Sequence, residues 1–332
     1  MSEYPPFSNL NISTMTIMAY SNISFKAKDI FENIRIDKVD PANIILKGKK
    51  RIIDSSDDVV SIQTKTRVRG VNLRKVYKYH CPKCLKYNKK NKPVNTVIEH
   101  YKKQKETDEL SPYWECKDCG QSFTLAEVKT KTIDHFLNQV TIVTTLNTNI
   151  INVMVFKDNL KIVGCKSIDD AIAVTKNLWK NYISPLTDCY TLKEERASFI
   201  FEPVMANVGF KIGFPIDRKN LNVIMNEASD EVFMAHFEPT TQVYVSIKMI
   251  TEQPDGYKFH SITFDNGEFI DEMTNDIPYK KVKPPKDNFN TFIVFSSSET
   301  ILSGRYIKDM KAKYDYFMKK VFKNREMIED VI

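Results

Sequence analysis

Two distant stretches alternate apolar and polar positions, and both open on Gln-Val: Gln139-Val140-Thr141-Ile142-Val143-Thr144-Thr145-Leu146 and Gln242-Val243-Tyr244-Val245-Ser246-Ile247-Lys248-Met249. A period of two predicts a half-buried strand in each. Each leads to a second strand ending in phenylalanine, Ile151 to Phe156 and Thr291 to Phe295. A polar turn follows, Lys157-Asp158-Asn159 or Ser296-Ser297-Ser298-Glu299, and then an apolar strand that closes on Gly164 or Gly304.

Beyond each glycine the period changes to that of a helix. The inward positions are Ala171, Thr175, Leu178, Trp179 and Tyr182 in one half, and Met310, Tyr314, Phe317, Met318 and Val321 in the other, with the same spacing. Upstream, Ile23 to Ile30 can be laid on Phe214 to Leu221, each a strand running into a short helix. The predicted unit is strand, helix, antiparallel strands and long helix, and it occurs twice.

The first repeat spans 9–35 and 138–183, a linker covers 184–199, and the second repeat spans 200–325. Two stretches interrupt them. Residues 36–137 form a large insertion, and about 251–288 a smaller one whose Pro254-Asp255-Gly256 and Asp265-Asn266-Gly267 predict turns and a hairpin. Hydrophobic residues at 42% and charged residues at 27% fit a globular chain of 332 residues, and no apolar run is long enough for a membrane span.

Cysteine usage adds chemistry to the large insertion. Cys81-Pro-Lys-Cys84 and Cys116-Lys-Asp-Cys119 are two Cys-x-x-Cys pairs, which in a reducing compartment point to metal rather than to disulfides. Four thiolates on two tight turns suit one structural Zn²⁺ in a ribbon over about 76–126. A catalytic zinc would need an open position and a general base, and this set is closed. Cys165 and Cys189 read as small buried apolar residues.

The net charge of +7 is unevenly spread: residues 36–135 carry 22 Lys+Arg against 13 Asp+Glu, leaving −2 for the remainder. From Lys65 to Lys105 there are 14 basic residues against Glu99 alone, interleaved with Tyr77, Tyr79, Tyr87 and Tyr101. A polyanion, or an acidic polymerase surface, would meet that segment first. With five scattered histidines and no nucleophile elbow, Gly-rich phosphate loop or carboxylate cluster, an enzyme is not expected.

The duplicated order resembles the TATA-box-binding protein family over both repeats. The likeness is carried by Ser13-Thr14-Met15-Thr16, by Phe156 through Gly164-Cys165-Lys166-Ser167-Ile168-Asp169-Asp170, by Gly213-Phe214-Pro215-Ile216, by Ile247-Lys248-Met249, and by Phe295 through Ser303-Gly304. The resemblance implies an α+β fold: a saddle of curved antiparallel sheet with helices on its convex side, here with an inserted zinc ribbon. It implies a concave face that takes AT-rich promoter duplex through the minor groove and wedges aromatics between base steps.

Carried over by position, Phe156 and Phe295 match one wedge of each pair, and Gln139 and Gln242 stand at the other. Val140, Val243 and Thr144 join the implied DNA-facing set, and Lys166 and Lys248 stand where the family uses cations. The family's central asparagines fall on Leu10 and Met205, beside Asn11 and Asn207. The implied role is transcription initiation with RNA polymerase and a transcription factor B-like protein, and with no small-molecule substrate. The alternative is an interaction scaffold of the transcription machinery that has lost DNA bending. The Asn-, Ile- and Lys-rich style is similar to that of large-DNA-virus members, which implies an intracellular site, a nucleus or a viral factory, with packaging in the virion as a further expectation.

Overall fold

The computed structural model describes residues 4–38, 44–47, 50–53, 55–64, 68–70, 76–80, 87–91, 113–115, 119, 122–124, 139–228, 231–240, 243–280 and 288–330. The chain opens with β1 (Ile12–Ser21), β2 (Ile23–Phe25) and helix α1 (Ala27–Asn33). Short strands follow: β3 (Ile44–Lys47), β4 (Lys50–Ile53), β5 (Val59–Gln63), β6 (Val68–Gly70), β7 (Val76–His80), β8 (Tyr87–Asn91), β9 (Tyr113–Glu115) and β10 (Ser122–Thr124). Next come β11 (Val140–Leu146), β12 (Asn149–Val155), β13 (Asn159–Cys165) and α2 (Ile168–Leu178), which runs on into a π-helical turn, Trp179–Ile183. After β14 (Tyr190–Leu192) the second half has β15 (Ala197–Lys211), α3 (Arg218–Asn226), β16 (Val232–His236), β17 (Tyr244–Ile250), β18 (Phe259–Asp265), β19 (Glu268–Thr274), β20 (Phe289–Phe295), β21 (Glu299–Gly304), α4 (Ile307–Lys323) and α5 (Arg325–Ile328). Among the described residues no helix is long and apolar enough to cross a membrane.

The chain divides into two compact units. Unit one holds residues 1–23, 158–173 and 192–332, and unit two holds 24–157 and 174–191. In unit one the antiparallel strand order is β16-β17-β20-β21-β15-β1-β13. In unit two it is β12-β11-β5-β6. The run β5-β11-β12 of one half thus repeats as β16-β17-β20 of the other, and β1-β13 repeats as β15-β21, so the duplication read from sequence is also a duplication of pairing. Strands β1 and β15, the opening strands of the two repeats, pair with each other from Ile12↔Val208 to Ser21↔Phe199.

The helical periods resolve as expected. Ala171, Thr175, Leu178, Trp179 and Tyr182 are buried, and so are Met310, Tyr314, Phe317, Met318 and Val321. Phe292 stacks on Phe317 at 4.4 Å, and Phe210 meets Tyr314 edge-on at 5.0 Å, each ring contributing roughly 1.5–3 kcal/mol by leaving water. Asp217 caps α3 by accepting from the Lys219 and Asn220 amides at 2.9 and 3.0 Å. The glycines that close the third strands have steric reasons: Gly164 sits at φ +110, and a Cβ on Gly304 would lie 2.0 Å from Asn290 Oδ1.

Two findings refine the boundaries. Strand β5 lies inside the stretch read as an insertion, yet it pairs with β11 from Thr141↔Gln63 to Thr144↔Val59 as the counterpart of β16. It is held by Asp37, whose carboxylate accepts the Val59 amide at 2.8 Å and the Tyr182 hydroxyl at 2.6 Å. Burial, then the bond to Asp37, pushes the Tyr182 phenol above its ordinary pKa. The smaller insertion does contain a hairpin, turning at Asn266 and Gly267 with positive φ, and its strand β18 pairs with Ala197–Phe201 of β15.

Candidate nucleic-acid interface

The unit-one sheet has one face in the core and one left open, and strand alternation decides which residue goes where. Inward go Val245, Ile247 and Met249 of β17, Asn290, Phe292 and Val294 of β20, and Ala206, Val208 and Phe210 of β15, all buried. The opposite set comprises Tyr244, Ser246, Lys248 and Ile250; Phe289, Thr291, Ile293 and Phe295; Glu299, Ile301 and Ser303; and Met205, Asn207, Gly209 and Lys211, all half-buried or exposed. Ile301 and Met205 are each 39% exposed and Ile250 49%. Such an apolar, uncovered sheet face is uncommon without a partner, because sheets normally bury their second apolar face or make it polar.

The polar groups on this face are mostly donors. Ser303 Oγ donates to Asn207 Oδ1 at 2.7 Å, which turns the Asn207 amide NH₂ outward as a donor. Lys248 sits between strand neighbours, with its ammonium 5.6 Å from the Phe289 ring. Glu299 is the carboxylate of the set and stands directly across from Lys211 in the β15–β21 register. A Cβ built on Gly209 meets nothing within 4 Å, so the backbone there is open to close approach. Neutral shape with amide and ammonium donors suits the minor groove, whose floor presents A N3 and T O2 acceptors between apolar sugar walls.

The residues implied by resemblance fall into three groups. Phe295 is half-buried on the open face and pairs with Tyr244, with the two rings edge-on at 6.0 Å; Phe156 and Gln139 are also half-buried. Lys248 and Lys166 present their side chains, Lys166 on the exposed loop whose amide is capped by Asp170 Oδ2 at 2.7 Å, and Val243 is 66% exposed. Val140 and Thr144 are each 1% exposed, and the Thr144 hydroxyl donates to the Asp58 carbonyl at 2.9 Å. Neither of those two offers surface to a duplex, because both lie on the core side of β11 with Ile142, opposite the buried Val155, Val153 and Ile151 of β12. Gln242 lies outside the described residues, and the partner facing Phe295 is Tyr244, an aromatic that the sequence comparison of repeats passed over.

A buried ionic cluster sits at the seam of β1 and β15. Glu202, 3% exposed, is ion-paired with Arg305 and with Lys280 at 2.7 Å, and accepts the Tyr20 hydroxyl at 3.1 Å. Arg305 Nε also donates to the Pro203 carbonyl at 3.0 Å. Burial first, and then the Glu202 charge, raises the Tyr20 phenol above its ordinary pKa and keeps it a donor. The cluster ties both opening strands to the end of β21 and to the segment after β19.

For the metal site, the chain between paired strands β7 and β8 carries Cys81 and Cys84, and that between paired strands β9 and β10 carries Cys116 and Cys119. Cys119 is exposed; Cys81, Cys84 and Cys116 lie outside the described residues, as does most of the Lys65 to Lys105 run. Two antiparallel hairpins, each with a Cys-x-x-Cys in its connection, fit a closed four-thiolate donor set. Among the described residues no cluster of three or more His, Cys, Asp or Glu side chains could hold a metal ion.

No protein-family model matches the chain, and no curated protein matches it. Among solved structures the chain is similar to the TBP of Methanococcus jannaschii, at 12% identity over 55% of this chain and 78% of that one, with a TM-score of 0.32. Likeness at that level decides nothing about function, which has to be read from the duplicated pairing and the open sheet face.

Proposed function

We propose that the chain is a non-enzymatic, TATA-box-binding-protein-like initiation factor that takes AT-rich promoter duplex on the open sheet face through the minor groove and helps bring RNA polymerase and a transcription factor B-like protein to it. The observation that carries this reading is the open face of unit one: apolar at Met205, Ile250, Ile293 and Ile301, donor-bearing at Asn207 and Lys248, and aromatic where Tyr244 meets Phe295. Phe295 and Phe156 would serve as wedges, with Tyr244 as the local partner of Phe295. The basic run from Lys65 to Lys105 would add sequence-independent affinity by releasing counterions. One structural zinc held by Cys81, Cys84, Cys116 and Cys119 would order the module that bears this run.

Ile301→Glu tests the reading, because it places a carboxylate on the open face at a position 39% exposed, where folding tolerates it. Affinity for an AT-rich duplex, followed by anisotropy, should fall at least about tenfold while the urea midpoint stays put. An unchanged affinity would contradict the duplex reading. The second reading, a protein scaffold, is favoured by the burial of Val140 and Thr144 in the first repeat. It predicts that Ile301→Glu weakens capture of the RNA polymerase and leaves DNA affinity alone.

A further inference from the structure

Strand β16, at the edge of the unit-one sheet, carries a bulge that none of the preceding roles uses. Its register on β17 shifts between Val232↔Met249 and Met234↔Lys248, so one residue, Phe233, is pushed out of the alternation. A bulge re-aims a side chain at the expense of regular pairing. Here it leaves Phe233 58% exposed and Met234 38% exposed side by side. The Phe233 ring reaches across β17 to Phe289, 4.8 Å between centroids at 38°, and the Lys248 ammonium lies 5.6 Å from the Phe289 centroid. The nearby carboxylate of Glu231 is engaged by Lys313 at 2.9 Å, so its charge is matched. Phe289 and Phe295 stand at opposite ends of β20, about 20 Å apart at the rise of a strand. This aromatic pair is therefore a separate place from the Tyr244–Phe295 contact.

We infer that Phe233, backed by Phe289 and flanked by Lys248, is a stacking site for an unpaired base of single-stranded nucleic acid. An aromatic with more than half its surface in water supplies a planar π-face that every base can use, and Lys248, beside the Phe289 ring on which Phe233 packs, supplies the cation that the adjoining phosphate needs. A scattered surface phenylalanine needs no explanation. One that is delivered by a bulge onto a second ring and a cation, on a face otherwise rich in donors, matches a strand-binding platform. The inference deepens the reading of the open face as a nucleic-acid surface: duplex lies across the sheet, and an unpaired nucleotide is taken at its β16 edge.

The probe is a short single-stranded oligothymidylate carrying one 2-aminopurine, whose fluorescence is quenched on stacking. Binding to the full chain should quench it. Phe233→Ala should lower the affinity about tenfold and remove the quench, Phe233→Trp should keep both, and affinity of Phe233→Ala for a blunt duplex should stay within about twofold. Because Phe233 is exposed, the alanine variant should keep the wild-type urea midpoint, so a loss of binding is not a loss of fold. Absence of oligonucleotide binding by the wild type, or equal affinity and quenching by Phe233→Ala, would overturn the inference. Loss of duplex affinity in Ile301→Glu with no effect of Phe233→Ala would sink the stacking site alone. The reverse pattern would sink the duplex reading alone.

Discussion

Purified chain should contain one zinc ion per molecule, and Cys116→Ser/Cys119→Ser should contain none. Structural zinc contributes on the order of 10–16 kcal/mol to the folding of small metal modules at neutral pH, more than two short hairpins can gain from their own contacts. Chelation should therefore unfold the segment bearing β7 to β10, seen as new proteolytic cleavage between residues 76 and 124, while units with cores built on Phe292, Phe317, Ile142 and Val153 persist. Metal content that is zero in the wild type, or unchanged in the double serine variant, would show that the four cysteines serve otherwise. Low pH should release the ion as well, since each ligand must be a thiolate to bind.

The second large effect is at Glu202. Replacing it by alanine strips the negative charge from a site where Arg305 is four-fifths buried, and removal of one partner from such a pair leaves an uncompensated charge. The expected loss is about 3 kcal/mol of unfolding free energy, measured as a lower urea midpoint with an unchanged slope. Lys280→Ala should cost under about 1 kcal/mol, because its side chain is 41% exposed and water screens the pair. Equal losses for the two variants would mean that the cluster is held by its packing rather than by the Glu202–Arg305 charge pair.

Much of this was legible in the sequence where one local rule decides the outcome. The long helices announced their inward faces, since ten positions at a 3.6-residue spacing leave little choice of face. The Asn266-Gly267 hairpin followed from the positive φ that these residues tolerate. What escaped were pairings decided by distant partners. Val59, Val60 and Ile62 read as no particular strand of the repeat, and they become one because Asp37 and Tyr182 hold the Val59 amide against β11. Val140 and Thr144 fall on the core side of β11 with Ile142, which the alternation of that strand assigns and the carry-over by position ignored. Tyr244 was missed opposite Phe295 because aligning the two Gln-Val starts ignores the actual register, and the Phe233 bulge leaves no mark in a pattern of period two.

The most direct test of the central claim is to ask which groove the chain reads. Inosine·cytosine pairs present the minor groove of A·T and the major groove of G·C, so they separate the two faces of the duplex. Affinities are measured at one salt concentration for three duplexes of the same length, with A·T, I·C or G·C pairs in the bound segment. Minor-groove seating on the open face predicts that I·C binds within about twofold of A·T and that G·C, whose N2 amino group would meet Asn207 and the apolar strip, binds at least about tenfold more weakly. An I·C duplex as weak as G·C, or three equal affinities, would contradict it.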